Sequence, residues 1–258
     1  MSSNNEEKIL QKIAKEAGSI IMDLRNYRNI VTDKEKNEIV TKADVESNDF
    51  IIRNLIKHFP DIPIYSEESY KSNADTRWII DPLDGTTPWV WGNSGFSISI
   101  ALERDGIIEL GAVYDPVMNE FYYAEKDNGA YRNNIRIHVS KENDLTKMFL
   151  VVDWGNKDEK RKEGLNYFVK FFLPDMKARR IIPQFAPALG LCKIAEGRIH
   201  GLVCNDTWVE DHSAGALILK EAGGYVSNFY NIYSFNHREP GIIATNNKYI
   251  HQNIIKYL

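Results

Sequence analysis

The chain has 258 residues, 43% of them hydrophobic and 26% charged, enough to bury a sizeable core in one large domain or two packed halves. Lys and Arg number 32 against 36 Asp and Glu, a formal charge of -4, which argues against a nucleic-acid partner because backbone binding needs clustered positive charge. Two cysteines, Cys192 and Cys204, have no zinc-ligand or redox-pair spacing and are too few for a disulfide framework.

The amino terminus, MSSNNEEK, lacks the apolar centre of a signal peptide. The longest apolar runs fall well short of the roughly 18 residues of a membrane span. A reduced, cytoplasmic protein with no membrane partner is expected.

In chain order, Ile9, Leu10, Ile13, Ala14, Ala17, Ile20, Ile21 and Leu24 form one helical stripe within 5–27. The segment 28–42 is polar and charged and reads as a mobile loop or a hairpin. From Asp44 a second helix is expected, carrying Phe50, Ile51, Leu55, Ile56 and Phe59 until Pro60 stops it. Ile79-Ile80 is a short apolar strand that ends at Asp81-Pro82. Alternating Phe96, Ile98, Ile100 and Leu102 make a half-buried strand, and 107–114 another, within a sheet region of hairpins over about 76–140. Helices are expected at 160–173 and 186–197, a strand at 199–204, and a helix at 212–224 ending in a Gly pair. No repeat or linker divides the chain, so 1–258 reads as one layered α/β or α+β domain with approximate halves 1–145 and 146–258.

Several carboxylates sit at element boundaries. In DPLDGT (81–86), Pro82 and Gly85 turn the chain and bring Asp81 and Asp84 together. Two carboxylates so close repel unless a cation neutralises them. Hard oxygen donors suit magnesium, and the Leu83 carbonyl between them is a further oxygen. The Gly85-Thr86 step can offer backbone N–H groups to a phosphate. The competing reading is a plain turn, since Asp, Pro and Gly are common turn formers. Glu67-Glu68 alone reads as a solvated loop. Asp211 alone reads as an acid favoured at a helix start, with His212 beside it as a cap or packing residue.

Together, YSEES (65–69), WIIDPLDGTT (78–87) and WVEDHSAGALILKEAGG (208–224) resemble the three signatures of the inositol monophosphatase family, and Phe96–Leu102 and GAVYDP (111–116) resemble strands that follow its central motif. The resemblance runs from about Ile9 to the mid-240s. It implies an α-β-α-β-α sandwich of the inositol monophosphatase/fructose-bisphosphatase type, a homodimer, and a lithium-sensitive phosphatase of a small phosphorylated metabolite. It also implies roughly two or three Mg2+ ions. By matching position, Glu67, Asp81, the Leu83 carbonyl, Asp84 and Asp211 would be metal ligands. Glu67 and Thr86 would activate water; Gly85, Thr86 and Asp211 would meet substrate. Asp44 and Glu68 match positions near the site, Asp44 as a catalytic-site residue or a more weakly held metal's ligand. Thr41 matches a motif beside the loop at 28–42.

Departures gather at the substrate end. Phe185-Ala186-Pro187 replaces a Gly-Ser-Ala step, Cys204 an acid, and Glu210 the Trp before the last metal Asp. The expectation is a leaving-group pocket less polar than one built for inositol. Trp89, Val90 and Trp91 read as core or dimer wall, or as a surface for stacking a base. Three functions are therefore carried: a magnesium-dependent inositol or sugar phosphate phosphatase, a nucleotidase for adenosine 3′,5′-bisphosphate, and a non-catalytic binding protein of the same fold.

Overall fold

The computed structural model describes residues 3–25, 30–35, 38–155, 158–171, 178–183 and 186–258. The first half runs α1 (Ser3–Leu24), β1 (Ile30–Glu35), β2 (Glu38–Thr41), α2 (Lys42–His58), β3 (Ile64–Ser66), β4 (Arg77–Asp84), α3 (Thr86–Val90), β5 (Ser97–Arg104), β6 (Ile107–Asp115), β7 (Glu120–Glu125), β8 (Ala130–Arg132) and β9 (Ile135–Arg136). The second runs β10 (Phe149–Asp153), α4 (Asp158–Phe171), β11 (Arg180–Pro183), α5 (Pro187–Ala195), β12 (Gly201–Cys204), α6 (Val209–Glu221), β13 (Tyr225–Asn228), β14 (Ile242–Thr245) and α7 (Lys248–Ile255).

Strands β3 to β9 form a seven-stranded sheet in sequence order, and β11-β10-β12-β14-β13 form a five-stranded sheet. Side chains alternate across each strand, and both sheets are covered on both faces. On β4, Trp78 and Ile80 pack with Leu10, Ile21 and Ile51 of α1 and α2, while Ile79 between them packs with Leu191 and Ile218 of α5 and α6. On β12, Leu202 and Cys204 face α5 and α6, and Val203 faces Ile250 and Ile254 of α7. The result is five layers, α-β-α-β-α, with α5 and α6 as the middle one. Close approach fixes that layer: a Cβ on Gly215 would lie 2.8 Å from Leu191 Cβ, and one on Gly111 of β6 would lie 2.7 Å from the Ala214 carbonyl oxygen.

The segment 28–42 contains a hairpin, β1 against β2, antiparallel. Several boundaries differ from the sequence reading, two of them beside the cleft. Strand β4 does not stop at Asp81 but continues to Asp84 through a bulge, with Asp81 opposite Ser99 and Asp84 opposite Ser97 of β5. Pro82 has no N–H to give a ladder, so the bulge is where a strand tolerates it. The turn begins instead at Gly85, whose φ of 90° is cheap only for glycine. Helix α6 starts at Val209 rather than 212, because the Asp211 carboxylate accepts the Trp208 N–H at 2.6 Å and caps the first turn.

Candidate active site

The end of β4, the start of α3, the N-terminus of α6 and the ends of β10 and β12 meet around a cleft of about 200 Å³. Glu67, Asp81, Leu83, Asp84, Gly85, Thr86 and Asp211 all line it, as do Asp153, Asp206 and Glu210. No Lys, Arg or His is among its described lining residues.

Elements far apart in sequence deliver the acids. Asp81 and Asp84 come from the bulged end of β4, and Glu67 follows β3, held by its N–H to the Ile80 carbonyl at 3.1 Å. Asp211 arrives on the middle-layer helix. Asp84 Oδ2 accepts from the Ser97 hydroxyl at 2.7 Å and from the Leu189 N–H at 3.2 Å, tying β4 to β5 and to the start of α5. Asp81 Oδ1 accepts the Leu83 N–H at 2.9 Å.

The electrostatics are unfavourable for the chain by itself. Burial, then the charges of Glu67, Asp84 and Asp211, holds the Asp81 carboxyl well above its ordinary pKa. Burial, then Glu210 and Glu67, does the same to Asp211. Burial raises Asp84 to about 7 even though Ser97 and the α5 amides oppose it. Repulsion of this kind is relieved by an oxygen-seeking cation. Among the described residues, no three His, Cys, Asp or Glu side chains are arranged as a ready coordination shell. Asp81, Asp84 and Asp211 each turn one oxygen to a donor of the chain, which leaves each a second oxygen. The all-oxygen donor set fits a hard divalent ion.

Asp44 does not line the cleft. It is buried at the start of α2, where its Oδ2 accepts the Thr41 N–H at 2.8 Å and the Thr41 hydroxyl. Its Oδ1 accepts the Thr86 hydroxyl at 3.0 Å. Burial outweighs these bonds and raises its pKa to about 6. Asp44 therefore stands behind Thr86 and is joined to the cleft through that hydroxyl. Glu68 does not line the cleft either.

His212, next to Asp211, points the other way. Its Nε2–H donates to the His237 carbonyl at 2.8 Å, so Nδ1 accepts the Thr207 hydroxyl at 3.0 Å. Burial lowers its pKa to about 4, leaving a neutral packing residue.

The substrate-end expectations need correction. Cys204 is 1% exposed, packed in the core and not among the cleft's described lining residues, although the cleft acids Asp153, Asp206 and Asp211 act on its thiol. Phe185 lies outside the described residues. Asp153, Asp206 and Glu210, which the motifs did not select, make the cleft more acidic rather than less polar. Asp153 closes the apolar run FLVVD, and Asp206 follows β12 by two residues, so both lie at carboxyl ends of neighbouring parallel strands, where α/β sheets commonly bind ligands. Trp89 is core, its Nε1–H bonded to the Ile21 carbonyl at 3.2 Å. Trp91 is exposed and also off the cleft; its aromatic walls are Trp154 and Trp208.

Comparison with known proteins decides the family. The profile of the inositol monophosphatase family matches residues 4–258. The chain belongs to that family. "Fructose-1,6-bisphosphatase/inositol-1-monophosphatase" of Thermotoga maritima is 33% identical over 257 residues, covering 95% of this chain and 92% of the relative. "Nus factor SuhB" of Pasteurella multocida is 34% identical over 229 residues, 87% of this chain and 85% of the relative. A Thermotoga maritima IMPase structure superposes with a TM-score of 0.86 at 30% identity, covering 98% of this chain and 96% of that one. Extragenic suppressor protein suhB from Bartonella henselae gives 0.87 at 28% identity, covering 97% and 96%. The layered sandwich is thus the fold of this phosphatase family, and among the described residues no helix is long and apolar enough to cross a membrane.

Proposed function

We propose that this protein is a magnesium-dependent phosphomonoesterase acting on an inositol phosphate or a related small sugar phosphate. The observation that carries the reading is the convergence of Glu67, Asp81, Asp84 and Asp211 on one cleft beside the Thr86 hydroxyl, with no cationic side chain among the described lining residues. Those four carboxylates and the Leu83 carbonyl would hold the ions. The chemistry such ions supply is acidification of a water and neutralisation of charge on the leaving oxygen.

The chain's own part is positioning. The Thr86 hydroxyl donates to Asp44, which leaves its lone pairs free to accept a hydrogen bond from the attacking water and orient it. Glu67 takes that water's proton. The Gly85-Thr86 step, at the start of α3, offers backbone N–H groups to the phosphate. Asp153, Asp206 and Asp211 can accept hydrogen bonds from the hydroxyls of a polyol leaving group, with Trp154 and Trp208 as apolar walls.

A second phosphate would meet several carboxylates and no cationic side chain among the described lining residues, which counts against adenosine 3′,5′-bisphosphate. The Nus factor name of the Pasteurella relative keeps a binding role in view; the four carboxylates support catalysis. The test is phosphate release from inositol phosphate, a simple sugar phosphate and adenosine bisphosphate, with magnesium and with EDTA. Full turnover in EDTA by protein shown to be metal-free would remove the magnesium reading, and a strong preference for the bisphosphate would replace the substrate. The homodimer implied by the family resemblance and the cytoplasmic location expected from the cysteines, the polar amino terminus and the short apolar runs belong to the same proposal, and light scattering reads the first.

A further inference from the structure

Glu210 stands where the family resemblance leads one to expect tryptophan, one residue before Asp211. Its backbone is pinned to β5, the carbonyl accepting the Ser99 hydroxyl at 3.2 Å. The side chain lines the cleft, yet the residue is only 7% exposed. One carboxylate oxygen, Oε2, is buried and has no hydrogen-bond partner among the described residues. The Tyr65 hydroxyl faces the same carboxylate.

Among the described residues, the cations that act on Glu210 are Arg77 and Lys71, and both are engaged with other groups. The Arg77 guanidinium bonds Glu103 at 2.8 Å, and the Lys71 ammonium bonds the Glu67 carbonyl at 2.9 Å while lying over the Tyr65 ring at 4.7 Å. An unpartnered buried carboxylate oxygen is costly. A group bound in the cleft would complete it. A neutral hydroxyl of a substrate would satisfy the hydrogen bond but leave Glu210, Asp211 and Glu67 repelling one another. A divalent cation answers both demands.

We propose that Glu210 is an additional acidic member of the cation site, beside Asp211 and Glu67, holding a divalent ion directly or through its water. The inference rests on the reading of the cleft as a metal site. It predicts tighter cation binding in this chain than the same fold would give with a neutral residue at 210, and a larger stabilisation by magnesium.

The experiment is calorimetric titration of the full chain with magnesium, together with thermal unfolding with and without the ion, for the parent, Glu210→Gln and Asp81→Asn. Glu210→Gln keeps the shape and the Tyr65 contact. It is expected to weaken magnesium binding by about 10- to 100-fold and to unfold at a higher temperature than the parent when metal-free. Unchanged magnesium affinity in Glu210→Gln, with affinity lost in Asp81→Asn, overturns the inference and leaves the metal site standing; a raised KM for sugar phosphates in that variant would reassign Glu210 to substrate. Equal lowering of the unfolding temperature with and without magnesium would make Glu210 structural and also overturn it. Unchanged affinity in both variants removes the metal reading of the cleft, and this inference with it.

Discussion

Strands β4 and β5 carry two buried carboxylate sites on one ladder, and the chain treats them in opposite ways. At one end Glu103, fully buried, pairs across the strands with Arg77. It receives the Arg77 Nε–H at 2.8 Å, the His237 Nε2–H at 2.7 Å and the Arg238 Nε–H at 2.8 Å. Burial alone would raise its pKa, but the bonds from His237, Arg238 and Arg77 outweigh it and hold it below the usual value. Four residues along β4, Asp81 is equally hidden and its charged neighbours are Glu67, Asp84 and Asp211. A sheet able to surround one acid with donors leaves the other acids facing a cleft. The first charge is met within the chain; the second is not met by any cationic side chain among the described lining residues.

The comparison can be broken at either end. The largest effect is expected from Asp84→Asn, which keeps shape but removes a charge from the cleft. Steady-state turnover should fall about a thousandfold or more, roughly 4 kcal/mol, with an unchanged circular dichroism spectrum; near-normal turnover would mean the site is misplaced. Glu103→Gln strands its cationic partners, and the denaturant midpoint should report a loss of about 3–5 kcal/mol, with magnesium affinity little altered.

His212 sharpens the contrast through pH. Its folded pKa, about 4, lies below the unfolded 6.5, so both states are neutral above 6.5 and the stability is fully present there. As pH falls from 6.5 to about 4 the unfolded chain takes up a proton that the folded chain refuses, and up to about 3 kcal/mol is lost. Asp84 has the opposite sign: raised to about 7, it gives metal-free protein stability that is present in acid and disappears as pH rises through 7. Urea unfolding of the parent and His212→Gln with saturating magnesium should show the variant losing less between pH 6.5 and 4. A smaller gain, about 1 kcal/mol, is expected for metal-free Asp81→Asn at pH 8, because one repelling charge is gone. The smallest effect concerns β2, whose Ile39 lines the cleft: if this hairpin covers the ligand, its amides should exchange more slowly when magnesium and phosphate are bound, and equal exchange would rule that out.

What was legible in the sequence follows the range of the interactions. Asp81, Asp84, Gly85 and Thr86 lie within six residues, and their crowding is visible without a fold. The helical stripe of α1 and the alternation of β5 are equally local. Asp153 and Asp206 are single acids at strand ends, and only the parallel pairing of β10 with β12 makes them neighbours. Glu103 precedes an Arg-Asp-Gly turn and looks solvated; its partners at 77, 237 and 238 carry no pattern pointing to it. The start of α6 was misjudged because its cap is an acid inside the first turn reaching back to Trp208. The strand carrying Cys204 is legible, but nothing local says that helices cover both of its faces.

The bulge in β4 settles a question of parity. On a regular strand, side chains three positions apart point to opposite faces, so Asp81 and Asp84 would be separated by the sheet itself. Three steps along β4 are matched by two along β5, and the odd spacing behaves as an even one. Both aspartates thus fall on the side of the cleft. A chain with one residue added or removed between them would need a differently paired β5 to bring the two charges together again.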